Sequence, residues 1–300
     1  MKYTIETNNL SKIYGNVRAV QNVSLHVKAG EIYSFLGLNG AGKTTTIRAL
    51  LGMIRPSEGN VKVLGQDLGP GGRGPWAQVG YMVESPAAYP ELSVRENLEV
   101  ARRLYGIQNP KIVDAIMEEF SIVTYANRKA GTLSSGNFQR LGLARALMHK
   151  PELLILDEPA NALDPAGIVE IREMLSRLAR ENGMTIFMSS HNLTEVDKLA
   201  DRIGIIHKGK LVEELDAKKL DVIRSKQLIV DTHDLVRAAA VLQNFDVEKL
   251  GKHRLAIKDR KAIEAPESIV TILVNAGTPP YHLAIEQENL EDYFLKLTAN

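Results

Sequence analysis

Gly37-Leu38-Asn39-Gly40-Ala41-Gly42-Lys43-Thr44-Thr45 is the stretch on which the fold turns. Its first eight residues satisfy G-x-x-x-x-G-K-[ST]. Glycines let backbone N–H groups turn inward onto an anion where side chains would obstruct them. A helix starting directly after the loop adds its free N–H groups and its positive dipole end. Glu31–Leu36, just upstream, reads as a buried strand, and Thr44–Met53 as that helix. Asn39, Gly40, Ala41, Gly42, Lys43, Thr44 and Thr45 are therefore expected to hold the phosphates of ATP. Lys43 would reach the β- and γ-phosphates, and the Thr44 hydroxyl would ligate Mg²⁺. The competing reading is a glycine-rich turn that matches by accident. With glycine near ~7% of residues, such a match is on the order of one in a hundred for a chain of this length.

Outward from the loop, Leu153–Leu156 and Thr185–Ser190 read as further fully buried strands, with a helical pattern over Ile168–Asn182. That alternation predicts an α/β layer fold around a mostly parallel sheet, the fold class of P-loop NTPases. Ile203–His207 and Leu211–Glu214 flank Gly209 as a closing hairpin, and Gly69–Pro75 reads as loop. Two carboxylates, Asp157 and Glu158, emerge together at the end of the Leu153–Leu156 strand. Nucleotide hydrolysis needs one acid for the metal shell and one for the attacking water. Asp157 is assigned to the metal and Glu158 to the water; the plain alternative is a solvated strand end. His191 follows the next buried strand in Ser189-Ser190-His191. Neighbouring parallel strands deliver their C-terminal ends to one sheet edge, so His191 is expected to reach the γ-phosphate or the water rather than merely decorate the surface.

The 300 residues are 44% hydrophobic and 24% charged, an ordinary composition for a chain with a sizeable core. Lys and Arg total 37 against 36 for Asp and Glu, so no net field recruits nucleic acid. The absence of cysteine excludes disulfides, thiolate metal sites and a cysteine nucleophile. The N-terminal MKYTIETNNL lacks a signal peptide's apolar core, and no apolar run approaches the roughly 20 residues of a membrane helix. Past about residue 216 the pattern changes. Strand-like Gln227–Asp231, helical Leu235–Asn244, a Val247–Leu250/Leu255–Lys258 hairpin, helical Ser268–Asn275 and strand-like Tyr281–Glu286 follow in order. That order, β-α-β-β-α-β, predicts a small α+β domain of ferredoxin-like arrangement, closed by a helix over Leu290–Thr298. The expected domains are 1–215, binding nucleotide, and 216–300, accessory or regulatory.

These pieces, in this order, resemble the nucleotide-binding subunit of an ATP-binding-cassette (ABC) transporter. The decisive segment is Leu133-Ser134-Ser135-Gly136-Asn137-Phe138-Gln139-Arg140, similar to that family's LSGGQ signature and its following basic stretch. The resemblance implies that two cassettes meet head to tail, each ATP lying between one phosphate loop and the other subunit's Ser134, Ser135 and Gly136. A helix N-terminus just past Ser134 would offer a second anion site. It further implies that Tyr14 stacks on adenine and that Asp164 links the two halves. Plain readings are core packing for Tyr14 and a helix N-cap before Pro165 for Asp164. Leu38 stands where the family has proline, Ser135 where it has glycine, and Asn137 where it has glutamine. Glu84, in Gly80-Tyr81-Met82-Val83-Glu84-Ser85-Pro86, replaces a glutamine that senses magnesium and water; a carboxylate keeps the acceptor and loses the donor. With Tyr89-Pro90 and Leu92–Leu98 behind it, Glu84 resembles the bacitracin-resistance and lantibiotic-immunity exporters. The chain end Leu290–Thr298 resembles that broader exporter group too.

The resemblance implies an ATPase that powers a separate integral membrane permease, an exporter of antibiotic-like peptides or other amphiphilic substrates. The cassette would work as a dimer, here a homodimer, peripheral on the cytoplasmic face through the permease, with residues 84–105 receiving a permease helix. An ABC-type ATPase of DNA repair or translation is the alternative. The missing coiled-coil insertion, the single cassette and the near-neutral charge count against it.

Overall fold

The computed structural model describes residues 3–69, 74–161, 163–217, 226–287 and 290–298. The chain divides after Ala217 into two compact units, each with its own core. In the first, strands β1 (Tyr3–Tyr14), β2 (Val17–Val23), β3 (His26–Lys28), β5 (Glu58–Val63) and β6 (Gln66–Asp67) form an antiparallel sheet. A second sheet has the order β11 (Lys210–Asp216), β10 (Arg202–His207), β4 (Ile32–Leu36), β9 (Thr185–Ser190), β8 (Leu153–Asp157), β7 (Val79–Met82). Its pairings are parallel from β10 to β7, and β11 closes the edge antiparallel to β10. Strands β4, β8 and β9 are buried at every position, as strands covered on both faces must be.

Helix α1 (Lys43–Leu50) follows β4 through the phosphate loop. Helices α2 (Val94–Leu104), α3 (Ile112–Glu119) and α4 (Ser135–Leu147) are inserted between β7 and β8. They pack Leu98, Ile116 and Leu141 into the core they share with Leu154, Leu156 and Met188. A capping box starts α2: Ser93 accepts from the Glu96 amide while Glu96 accepts from the Ser93 amide. The same Ser93 N–H holds the Glu96 carboxyl below its usual range. Helix α5 (Pro165–Asn182) is capped by Asp164 and begins with Pro165, three residues earlier than the periodicity suggested, and α6 (Leu193–Leu199) follows β9. The antiparallel sheet was not legible in the sequence. β1 carries register shifts against each of its three partners, which break the two-residue alternation a strand normally shows. Of the Gly69–Pro75 loop, residues 70–73 lie outside the described residues.

The second unit contains β12 (Lys226–Thr232), α7 (Leu235–Val241), β13 (Val247–Lys249), β14 (Arg254–Ile257), α8 (Arg260–Glu264), α9 (Pro266–Asn275), β15 (Pro280–Gln287) and α10 (Leu290–Thr298). Its sheet runs β13-β14-β12-β15, antiparallel throughout, so that β14 is inserted between the two strands joined by α7. Leu228, Val230, Leu255 and Ile257 meet Ala238, Leu242, Ile269 and Leu273 in a core of their own. Helix α7 stops at Val241, short of the Asn244 suggested by composition.

Candidate functional site

The site lies where β4, β8 and β9 end together. Their parallel registers place Leu36 beside Ser190, and Asp157 beside Ser189. Between β4 and α1, glycine is obligatory for space as well as conformation. A Cβ on Gly37 would stand 2.6 Å from the Ile206 carbonyl oxygen. One on Gly42, which caps α1 at φ 108°, would stand 2.5 Å from the Ala19 carbonyl. Lys43, only 6% exposed, folds back along the loop and donates from Nζ to the carbonyls of Gly37 (2.6 Å) and Leu38 (3.3 Å).

Thr44 donates its hydroxyl to Asp157 Oδ2 at 2.8 Å, and Ser189 donates to Asp157 Oδ1 at 2.5 Å. Ser189 Oγ also accepts the Glu158 amide at 3.0 Å, so one hydroxyl positions both acidic residues. Glu158 stands at φ 52°, a backbone state costly for a residue with a Cβ and characteristic of functional sites. Its Oε1 lies 3.1 Å from Lys43 Nζ, and its Oε2 lies 2.8 Å from His191 Nδ1 and accepts the His191 amide at 3.3 Å. Two of the three Lys43 N–H groups go to loop carbonyls; its approach to Glu158 Oε1 is an ion pair, and that buried oxygen accepts no hydrogen bond among the described residues. A carboxylate with a free acceptor lobe, held between lysine and histidine, can take a proton from a water.

Glu84 also stands at positive φ, 61°. Its carboxylate meets Arg48 Nη2 at 2.7 Å, one helical turn beyond Thr44 on α1. Both partners are largely exposed, 60% for Glu84 and 39% for Arg48. Tyr14 is 45% exposed at the end of β1, which rules out its reading as a core residue, and Lys12 Nζ lies over its ring at 4.9 Å.

Ser134 caps α4, accepting from the backbone and side-chain amides of Asn137. Asp164 caps α5 through the Gly167 amide at 2.9 Å, as the plain reading expected. The two caps sit side by side: Ser134, Gly136, Asn137 and Asp164 line one pocket of about 200 Å³. Gln139, buried on α4, donates to the Pro159 carbonyl at 2.7 Å and so ties the signature helix to the turn after Glu158. Three site residues escaped the sequence reading. Ser189 sits two positions before His191 at a strand end, a signal that was available; Gln139 and Arg48 carried none.

A phosphate loop, a strand-end Asp-Glu pair, a following histidine and a helix-capping signature on an inserted helical subdomain together define an ATP-binding cassette. The ABC transporter family profile matches residues 20–161. Over 299 residues the chain is 39% identical to the bacitracin transport ATP-binding protein BcrA of Bacillus licheniformis, covering 99% of this chain and 98% of that one. It is 34% identical over 230 residues to the lantibiotic transport ATP-binding protein SrtF of Streptococcus pyogenes, covering 76% and 98%. Among solved structures, the ATP-binding subunit of an ABC transporter aligns with TM-score 0.65 at 28% identity, over 73% of this chain and 92% of that one. A dimeric bacterial ABC transporter cassette gives TM-score 0.65 at 26% identity, over 71% and 98%. The chain belongs to the ABC transporter family as an ATP-binding, ATP-hydrolysing subunit. Relatives matched nearly end to end are named for transport, which disfavours a role in DNA repair or translation. Among the described residues no helix is long and apolar enough to cross a membrane.

Proposed function

We propose that this chain is the ATP-driven motor of an exporter of antibiotic-like peptides or related amphiphiles, acting as a homodimer on the cytoplasmic face of a separate permease. Bacitracin and lantibiotic transport in the names of its relatives support the substrate class. One observation carries the chemistry: Glu158 is held between Lys43 and His191, with a free acceptor on Oε1. In this reading ATP draws Lys43 onto its β- and γ-phosphates and leaves Glu158 to orient and deprotonate the attacking water. His191 holds that water or the γ-phosphate. Asn39, Gly40, Ala41, Gly42 and Thr45 line the phosphates, and Tyr14 offers its exposed ring to adenine.

The paired oxygens of Thr44 and Asp157 suit a hard cation, and Glu84 is the further oxygen donor proposed for it. No cluster of three or more His, Asp or Glu able to hold a metal occurs among the described residues. The Thr44 hydroxyl and the Asp157 carboxylate fit Mg²⁺, which takes one or two carboxylates and completes its shell with phosphate and water. When bound, the ion neutralises charge on the phosphates. Ser134, Ser135 and Gly136 of a second copy would close over the nucleotide, with Asp164 beside them. ATP then favours the closed dimer by its greater affinity for that state, and hydrolysis reopens it. Residues 216–300 would support the dimer or regulate it.

Affinity recovery of the full chain from detergent-solubilised membranes tests the reading. An integral membrane protein is expected; ribosomes or nucleic acid without one would overturn it.

A further inference from the structure

The sheet of the second unit has two edges of opposite character. β13 closes one edge with three residues, Val247–Lys249, two of them charged. Glu248 there meets Lys258 at 2.6 Å. Short length and charge are the usual means of blunting an edge against pairing with another chain. β15, at the other edge, is built differently. It runs eight residues, Pro280–Gln287, carries no lysine, and has its one proline at the first position, where a strand tolerates it. Its register with β12 shifts only at that end, by Thr232 and Pro280. Among the described residues, no backbone hydrogen bond outside the ladder with β12 reaches Tyr281–Glu286. Tyr281 and Ile285 are 55% and 48% exposed. A long, regular edge left unblunted is a template for a further strand.

Pairing with β12 sorts the β15 side chains onto two faces. Leu283 stands beside Val230 and Ile285 beside Leu228, on the face covered by α7 and α9. His282, Ala284 and Glu286 stand beside Asp231, Ile229 and Gln227 on the other face. His282 is anchored there: its Nδ1 lies 3.2 Å from Asp231 Oδ2, and Arg254 donates to both Asp231 oxygens at 2.8 and 2.9 Å. A second copy of β15, laid antiparallel along this edge with its two-fold axis at Ala284, is complementary to the first. Leu283 then faces the partner's Ile285, and His282 faces the partner's Glu286. Apolar residues meet apolar ones and an imidazole meets a carboxylate, the cross-strand pairs that stabilise sheets. A slip of one residue puts every side chain on the wrong face. A slip of two keeps the faces but sets Ala284 against His282 or Glu286 and shortens the ladder.

We propose that two copies of this chain join along β15, their four-stranded sheets continuing across a two-fold axis at Ala284 as one antiparallel sheet. Outward-facing backbone groups supply the hydrogen bonds, and the side-chain pairs fix the register. The contact is isologous, the same patch serving both copies. The inference deepens the proposed role of residues 216–300 in supporting the dimer and rests on that reading. Unlike closure over nucleotide, this pairing needs no ATP. It keeps two cassettes at high effective concentration between turnovers, so that ATP closes a pair already formed.

The chain has no cysteine, so introduced cysteines report contact without background. Directly opposite positions of an antiparallel pair come within disulfide reach. In full-length protein without nucleotide, Ala284→Cys should form a disulfide dimer under mild oxidation. His282→Cys mixed with Glu286→Cys should crosslink more than either alone, and Glu248→Cys, on the blunted edge, should give no dimer. No product at Ala284→Cys, no gain from mixing, or equal crosslinking at Glu248→Cys overturns the proposal. Separately, Ile285→Lys places an edge-blocking charge at an exposed position. It should weaken the nucleotide-free dimer at least tenfold in sedimentation while ATP binding stays within twofold. Association indifferent to Ile285→Lys, or a wild-type chain that is monomeric without ATP, overturns it. The Glu158→Gln variant with ATP tells the failures apart. A closed dimer there without β15 crosslinks removes the edge pairing alone, whereas no dimer there removes the homodimer reading itself.

Discussion

Lys43 and Glu158 stand 3.1 Å apart, 6% and 18% exposed, 115 positions apart in sequence. The ammonium thus neutralises the carboxylate in this structure, and the two are the proposed phosphate ligand and the proposed base. In the proposed mechanism ATP draws Lys43 away and frees Glu158 when the substrate binds. Glu158→Gln removes the charge and keeps the shape. It should bind ATP at least as well as the wild type, accumulate the closed dimer, and lose about 10²–10⁴-fold in kcat, the range of a general base. Single-turnover hydrolysis with size-exclusion chromatography checks this; hydrolysis at the wild-type rate would remove Glu158 from the mechanism.

Ser189 holds both acidic residues through one hydroxyl. Ser189→Ala leaves Asp157 Oδ1 and the Glu158 amide without that partner in a buried setting. A loss of about 1–3 kcal/mol of stability is expected from denaturant unfolding, since an orphaned buried polar group loses its compensation. Turnover should fall with it, because Glu158 depends on this bond for its backbone placement. Restoration of both by Ser189→Thr would be consistent; indifference of turnover to Ser189→Ala would not.

The Arg48–Glu84 pair is exposed on both sides, so its worth to folding is small, about 0.2–1 kcal/mol. Glu84→Gln should leave the melting temperature nearly unchanged and preserve hydrolysis by the isolated cassette. In reconstituted transporter the same variant should change the number of ATP hydrolysed per substrate moved. Equal values in both assays would make Glu84 a neutral replacement.

The two units keep separate cores, one set drawn from residues 5–206 and the other from 228–273. A chain ending at Ala217 should therefore fold and bind ATP. Its dimerisation or the regulation of its ATPase should change, measured by sedimentation and by the concentration dependence of turnover. No change in either would leave residues 216–300 without the proposed role.

The glycine loop, the Asp157-Glu158 pair at a strand end and the buried strands β4, β8 and β9 were legible in the amino-acid order alone, because each rests on local chemistry: glycine spacing, unbroken apolar runs, acids at a strand end; β7, a parallel strand with an exposed Tyr81, was not. The second unit's strands were legible for the same reason. What only the tertiary structure decided concerns partners distant in the chain. β1 joins a sheet whose bulges erase the alternating pattern. Glu84 faces Arg48, an exposed contact that no periodicity encodes. Ser189, from one strand, orders two acids on its neighbour, a relation created by parallel register. Arg145 looked like any helical arginine until packing buried its Nε and Nη1 without a hydrogen-bond partner among the described residues. Sequence specifies which groups are present and their local conformation; only the folded sheet and its inserted helices determine which of them meet.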